Sequence, residues 1–155
     1  MLRVRIVAIG KDKDRWISEG CQHYSKLLSR YAAVETKIIP ALKSTSGLSP
    51  VELKAREAER FDKAVGKDFL IALSDRGVKL DSVGLAKKIE KLQARTGSVT
   101  FLIGGAYGLD DRLIQQADLV LSLSPLTFSH QLVRLVLLEQ LYRALSILHG
   151  SSYHK

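Results

Sequence analysis

The stretch Ser98-Val-Thr-Phe-Leu-Ile-Gly-Gly-Ala-Tyr-Gly108 decides the fold class. Its first six residues carry no charge and are mostly β-branched or aromatic, so they read as a strand covered on both faces. The three glycines that follow free the backbone to turn sharply or to approach a ligand closely. The same grammar repeats outward. Upstream, Ser82 to Arg95 is a basic amphipathic helix stopped at Gly97, and Phe69-Leu-Ile-Ala-Leu-Ser74 is a second unbroken apolar run that Asp75-Arg-Gly77 ends. Ser49, Pro50 and Glu52 form a capping-box pattern that opens a helix running to about Val65. Before it lie a strand over Arg3 to Gly10, a helix over Lys13 to Tyr31, a strand over Val34 to Pro40 and a polar loop from Lys43 to Pro50.

Downstream, Asp110 or Asp111 caps a short helix to Ala117, and Leu119 to Ser124 is the last strand. Gln131 to Leu148 is apolar nearly all round, which a helix tolerates only when buried on more than one side. It reads as a dimer helix or as a central core helix. The tail Gly150-Ser-Ser-Tyr-His-Lys155 shows no periodicity. Strands alternating with helices predict an α/β fold with a mostly parallel sheet in a single domain over residues 1–155.

Charge divides the chain. The 155 residues hold 24 Lys and Arg against 16 Asp and Glu, a net +8, and residues 1–100 carry 20 of the basic and 12 of the acidic ones. The last 55 residues hold four of each, which suits a buried core or a subunit interface. A basic excess fits a polyanion partner, and equally a protein whose pI lies above neutrality. The single cysteine, Cys21, rules out an internal disulfide framework and fits a reducing cytoplasm. It lies on the apolar face of its helix beside Tyr24 and Leu28, as a packed thiol does. The longest apolar run, Phe69 to Leu73, is far too short to span a bilayer, and no export signal follows Met1.

Several chemistries lose their signatures. Gly104-Gly-Ala106 breaks the dinucleotide fingerprint, Gly66-Lys67-Asp68 is not a phosphate loop, and no G-x-S-x-G elbow occurs. His23, His130, His149 and His154 fall into no metal-binding spacing, so no metal is expected. In parallel sheets ligands bind beyond the carboxyl ends of the strands. Three such ends remain as candidates: Leu73-Ser-Asp75, Gly104 to Gly108, and Leu123-Ser-Pro-Leu-Thr-Phe128.

Taken in order, Phe101 to Gly108, Leu121 to Gln131, Val133-Arg134, Leu138-Glu-Gln-Leu-Tyr-Arg-Ala144 and the terminal Tyr153-His-Lys155 resemble the ribosomal RNA large subunit methyltransferase H family of the SPOUT class. The opening Val7-Ala-Ile-Gly-Lys11 and Trp16 also fit, so the resemblance spans the chain. It implies a SPOUT fold whose C-terminal part is threaded into a trefoil knot, a homodimer, and S-adenosylmethionine as cofactor. It further implies methylation of N3 of a pseudouridine in helix 69 of 23S rRNA, within the assembled 70S ribosome in the cytoplasm, with no membrane, DNA or metal partner. Carried over by motif, cofactor contacts are Leu73, Gly104, Gly105, Leu123, Ser124, Pro125, Leu126, Thr127 and Phe128. Ser129 stands where relatives usually have proline, and Pro125 where other residues are common.

The N3 imide must lose a proton as the methyl arrives, and the candidates for catalysis are His130, Arg134, Glu139, Arg143, Tyr153 and His154. Glu139 and Arg143, at i,i+4, read equally well as a helical ion pair. His130 also reads as a helix-start residue or an RNA contact. Only the resemblance draws the tail into a site, reaching the cofactor of a second subunit. Arg3, Arg5, Lys11, Lys13, Arg15 and Lys43 are the expected phosphate contacts. Two other readings compete: a non-catalytic ribosome- or RNA-binding protein of the same fold, and a nucleotide-dependent α/β enzyme.

Overall fold

A computed structural model describes residues 1–155. In chain order the elements are β1 (Leu2–Ile9), α1 (Arg15–Leu28), β2 (Ala32–Ile39), α2 (Pro50–Asp62), β3 (Phe69–Lys79), α3 (Ser82–Arg95), β4 (Ser98–Ile103), α4 (Asp111–Gln116), β5 (Leu119–Ser122) and α5 (Leu132–Leu148). The strands form one sheet in the order β2-β1-β4-β3-β5, and every neighbouring pair is parallel. The α/β fold read from the alternation of elements is therefore the observed one.

Period-two alternation explains the layers. Along β1, Leu2, Val4, Ile6 and Ala8 enter a core with Leu28 of α1, Ile89 of α3 and Leu137 of α5. Val7 and Ile9 point the other way, against Ala58 and Phe61 of α2 and Leu113 of α4. Three helices thus cover one face and two the other. All six residues of β4, in the sheet's centre, are buried.

The α2 start forms as its sequence predicts. Glu52 N–H donates to Ser49 Oγ at 3.2 Å, Ser49 N–H donates back to Glu52 Oε2 at 3.2 Å, and Pro50 opens the helix. Asp81 caps α3 through Gly84 N–H at 2.6 Å, and Asp110 caps α4. α5 packs against both α1 and α3 and has no exposed residue, which fits a core helix. One side of it is nevertheless only half-buried: Leu132, Leu135, Val136, Glu139, Arg143 and Ile147, a stripe at helical spacing. No helix is long and apolar enough to cross a membrane.

β3 departs from its expected end at Asp75. After Leu73 the chain leaves the sheet and returns, so that Leu73 and Val78 both pair with Leu121 of β5. The excursion holds Ser74, Asp75, Arg76 and Gly77. The polar residues that read as a terminator are a bulge, which a parallel neighbour tolerates because pairing resumes beyond it. Gly77 makes the return possible. A Cβ there would lie 2.7 Å from the backbone of both Val120 and Leu121.

Smaller differences concern ends: α1 spans Arg15–Leu28 rather than Lys13 to Tyr31, and β2 spans Ala32–Ile39 rather than Val34 to Pro40. α2 stops at Asp62 rather than Val65, and β5 stops at Ser122 rather than Ser124. In the latter case Ser122 Oγ donates to the Ser124 carbonyl at 2.9 Å and closes a local turn.

Gly77→Ala should push β5 from β3 and lower the unfolding free energy by about 2 kcal/mol, read as a shift of the urea midpoint at unchanged m-value.

Candidate active site

Beyond the carboxyl ends of β3, β4 and β5 lies a cavity of about 570 Å³, well within the range of small-molecule sites. Its walls are the β3 bulge (Leu73 to Arg76), the glycine loop (Ile103 to Leu109), the loop Leu123 to His130, Val133 at the start of α5, and Lys54 of α2. Every residue expected to contact the cofactor lines it except Pro125, which is exposed on the outer side of its loop.

The glycine loop needs its glycines for an internal reason. A Cβ on Gly104 would meet the Gly108 carbonyl oxygen and the Leu109 nitrogen at 2.6 Å, because the loop folds back on itself. Gly108 N–H donates to the Gly105 carbonyl at 3.0 Å to close that fold. A Cβ on Gly105 would lie 2.8 and 3.2 Å from the two carboxylate oxygens of Glu57. Close approach to a ligand is thus not the first constraint on Gly104; closure of the loop is.

In the loop after β5, Leu126 N–H donates to Ser124 Oγ at 2.9 Å and Leu132 N–H to Ser129 Oγ at 3.1 Å. Ser129 thereby fixes the loop at the entry to α5. His130 follows it on the cavity wall. Burial, with Arg134 and Lys13 nearby, holds its imidazole below the usual histidine range, so it is neutral and able to accept a proton at pH 7.

Arg134 belongs to the architecture. Its side chain is 3% exposed, Nη1 donates to Asp12 Oδ1 at 2.8 Å, and Nη2 donates to the Ile9 carbonyl at 2.6 Å. Beside it, Gln131 Nε2 donates to the Lys11 carbonyl at 3.1 Å while Gln131 Oε1 accepts from Lys13 N–H at 3.3 Å. These four bonds clamp the loop after β1 to the start of α5. They hold Lys13 near His130, with Lys11 in the same clamped loop and Arg15 opening α1 just beyond. Cys21 lies below this clamp, and burial together with Asp12 raises its thiol to about 11, so it stays protonated and unreactive.

The remaining basic residues separate. Arg3 and Arg5 lie at the amino end of β1, where Arg5 pairs with Glu35 at 3.1 Å. Seven residues of strand put Arg3 roughly 23 Å from the clamp. Lys43 is exposed in the loop after β2. Lys54 and Arg76, which line the cavity, escape a sequence reading because each sits among other charges with no motif around it.

Glu139, Arg143, Tyr153 and His154 form a second cluster. Arg143 Nη2 and Nε donate to Glu139 Oε1 at 2.6 and 3.1 Å, and Tyr153 hydroxyl donates to the same oxygen at 3.0 Å. The Arg143 guanidinium lies 4.8 Å above the Tyr153 ring, and Nη1 contacts His154 Nδ1 at 3.3 Å. The aperiodic tail is therefore seated, with Tyr153 half-buried against Tyr142 at a ring distance of 4.7 Å. Ten residues of α5 separate Val133 on the cavity from Arg143, about 15 Å. Within one chain the two sets do not meet.

Glu57 is a further residue that a motif reading misses. It is buried, has neither a hydrogen bond nor an ion pair, and sits one turn before Phe61 on the core side of α2. That i,i+4 relation to a core residue was its only signal in the sequence. Burial raises its carboxyl above the ordinary value, against a smaller opposing effect from Arg60. A raised folded-state value means that stability from this group is full at low pH and is lost as pH rises through that value. Glu57→Gln should therefore be the more stable protein at pH 7.5, and the difference should vanish below about pH 4, measured by urea unfolding at the two pH values.

No group of three or more His, Cys, Asp or Glu side chains that could hold a metal is present. The family model described as "Predicted SPOUT methyltransferase" matches residues 2–154. The chain is similar to the ribosomal RNA large subunit methyltransferase H of Acetivibrio thermocellus, 44% identical over 159 residues that take in 99% of this chain and 100% of the relative. It is likewise similar to that of Halothermothrix orenii, 40% identical over 161 residues with the same coverage. A probable methylase family protein from Haemophilus influenzae Rd KW20 shares the fold, with a TM-score of 0.62 over 98% of this chain and 70% of that one, at 16% identity. With its parallel sheet, its cavity at the strand ends and its full-length kinship, the chain belongs to the ribosomal RNA large subunit methyltransferase H family of SPOUT methyltransferases.

Proposed function

We propose that the protein is a homodimeric S-adenosylmethionine-dependent methyltransferase acting on N3 of a pseudouridine in helix 69 of 23S rRNA, in the assembled 70S ribosome of the cytoplasm. One observation carries the reading: the cavity is walled by Leu73, Gly104, Gly105, Leu123, Ser124, Leu126, Thr127 and Phe128, the residues that the family motifs assign to the cofactor. When bound, S-adenosylmethionine supplies a methyl group on a sulfonium. The half-buried Leu73, Leu123 and Phe128 would hold its adenine, and the folded-back glycine loop would offer backbone groups to its polar edges. The C-terminal knot is part of the same reading, as the threading of the cavity-forming loops.

Methyl transfer needs alignment of nucleophile, methyl and sulfur more than it needs a covalent intermediate, in keeping with the protonated, packed Cys21. The N3 proton must go to a base as the N–C bond forms and the S–C bond breaks. His130 at the cavity, neutral at pH 7, and Glu139 in the second cluster are the groups able to take it.

The 15 Å between cavity and second cluster is what favours a dimer with composite sites. The half-buried stripe on α5 offers an apolar face with Glu139 and Arg143 at its middle. A second copy packed antiparallel on that stripe would bring its Arg143 and tail to this cavity. Lys11 and Lys13 in the clamped loop and Arg15 at the start of α1 would then meet rRNA phosphates.

Calorimetry should give micromolar binding of S-adenosylmethionine, and labelled cofactor should methylate ribosomes lacking the modification in preference to free rRNA. No binding of S-adenosylmethionine and no transfer would support the non-catalytic RNA-binding reading instead, and binding of ATP or NAD alone would support the nucleotide-dependent one. Composite sites make a further demand. Equal amounts of Thr127→Trp, which fills the cavity, and Glu139→Ala, each inactive alone, should regain about a quarter of wild-type activity after subunit exchange. Charge reversal at Lys11, Lys13 and Arg15 should weaken ribosome binding at least tenfold at fixed moderate salt while leaving cofactor affinity unchanged.

A further inference from the structure

Proton counting in the second cluster assigns a role to a residue that no motif marks. Tyr153 has a single hydroxyl proton, and it is committed to Glu139 Oε1 at 3.0 Å. The Tyr24 and Tyr153 hydroxyl oxygens lie 3.2 Å apart. Tyr153 has no second proton to give, so the bond between them can form only with Tyr24 as donor. The result is a directed chain, Tyr24 to Tyr153 to Glu139, that begins on α1 and ends on α5. Arg143 completes it from the other side. A guanidinium only donates, so His154 Nδ1 must accept from it at 3.3 Å and carry no proton, which leaves the ring proton on Nε2, facing outward.

We propose that Tyr24 is a positioning residue of the methyltransferase. Its hydroxyl holds the Tyr153 oxygen so that the Tyr153 proton stays on Glu139, and this seats the C-terminal tail with His154 presented as an Nε2–H donor. The proposal rests on the reading that Glu139, Arg143, Tyr153 and His154 act on the substrate. The surroundings leave Tyr24 suited to this: it is half-buried beside Tyr142, at a ring distance of 6.3 Å, so deleting the hydroxyl leaves the packing in place. Burial, and the hydroxyl's bond to Glu139, hold the Tyr153 phenol far above its ordinary value, so it serves as a donor throughout the working pH range.

The test compares Tyr24→Phe with Tyr31→Phe in the full-length protein. Tyr31 packs in the same aromatic group, 6.1 Å from Tyr142 and stacked on His149, but its hydroxyl is outside the chain. Tyr24→Phe should lower kcat for ribosome methylation on the order of tenfold, with ribosome KM and cofactor Kd within about twofold of wild type. Tyr31→Phe should leave all three unchanged. Nitrogen-15 spectra of labelled histidine should show one His154 tautomer, with Nδ1 unprotonated, in wild type and Tyr31→Phe, and a mixture in Tyr24→Phe. Wild-type kcat and a single His154 tautomer in Tyr24→Phe would overturn the proposal, as would equal losses in the two variants. Should the wild type neither bind S-adenosylmethionine nor transfer methyl, the functional reading fails, and the tautomer spectra still decide for or against the Tyr24 chain.

Discussion

The end of the molecule that holds the cavity hangs on one buried cation. Arg134 is buried and divides its guanidinium between a carboxylate and a main-chain carbonyl, leaving Nε without a partner. A buried charge is tolerated only when its partners are held in place, so Asp12 and Ile9 fix the start of α5 as firmly as α5 fixes them. From that junction follow the orientation of Gln131, the path of the loop carrying Lys11 and Lys13, and the position of His130 on the cavity wall. A residue that family likeness offers for catalysis is thus a joint on which the candidates around it depend.

α5 then acts as a ruler between two kinds of chemistry. Its first turn borders a cavity of mixed polarity with a neutral imidazole, and its second half holds a carboxylate bound by arginine and tyrosine. The low dielectric on the sheet side and the half-wet outer stripe give these groups different environments on a single helix. Glu139 accepts four bonds, from Arg143, Tyr153 and Gln140, so its charge is well compensated while one edge stays accessible.

Much of this was legible in the residues. Ser49, Pro50 and Glu52 specify the start of α2 because a capping box is a local device whose partners lie within four residues. The unbroken apolar runs at Phe69 and Ser98 identify buried parallel strands for the same reason of proximity. What stayed hidden depends on distant partners. Asp75 to Gly77 reads as a strand end, since nothing local reveals that Val78 rejoins Leu121. The need for glycine at 77 is set by the backbone of Val120 and Leu121, more than forty residues on. The tail looks disordered until Tyr24 and Glu139 are seen beside Tyr153. Of the site, the motif loops were visible, whereas Lys54, Arg76, Glu57 and Tyr24 acquire meaning only from their neighbours in space.

The clamp also governs when this chain can fold during synthesis. β1 is made first, yet it lies inside the sheet, and its second edge waits for β4, which begins 95 residues later in register with Arg3. The Ile9 carbonyl receives its donor only from Arg134, 125 residues further along. Until α5 has left the ribosome's exit tunnel, Leu2, Val4 and Ile6 have no complete core to enter. Contacts of such long range make folding late and concerted. A nascent chain of this protein therefore exposes the apolar face of β1 until α5 has been made, and its dependence on protection in that interval is written into the same bonds that later make it rigid.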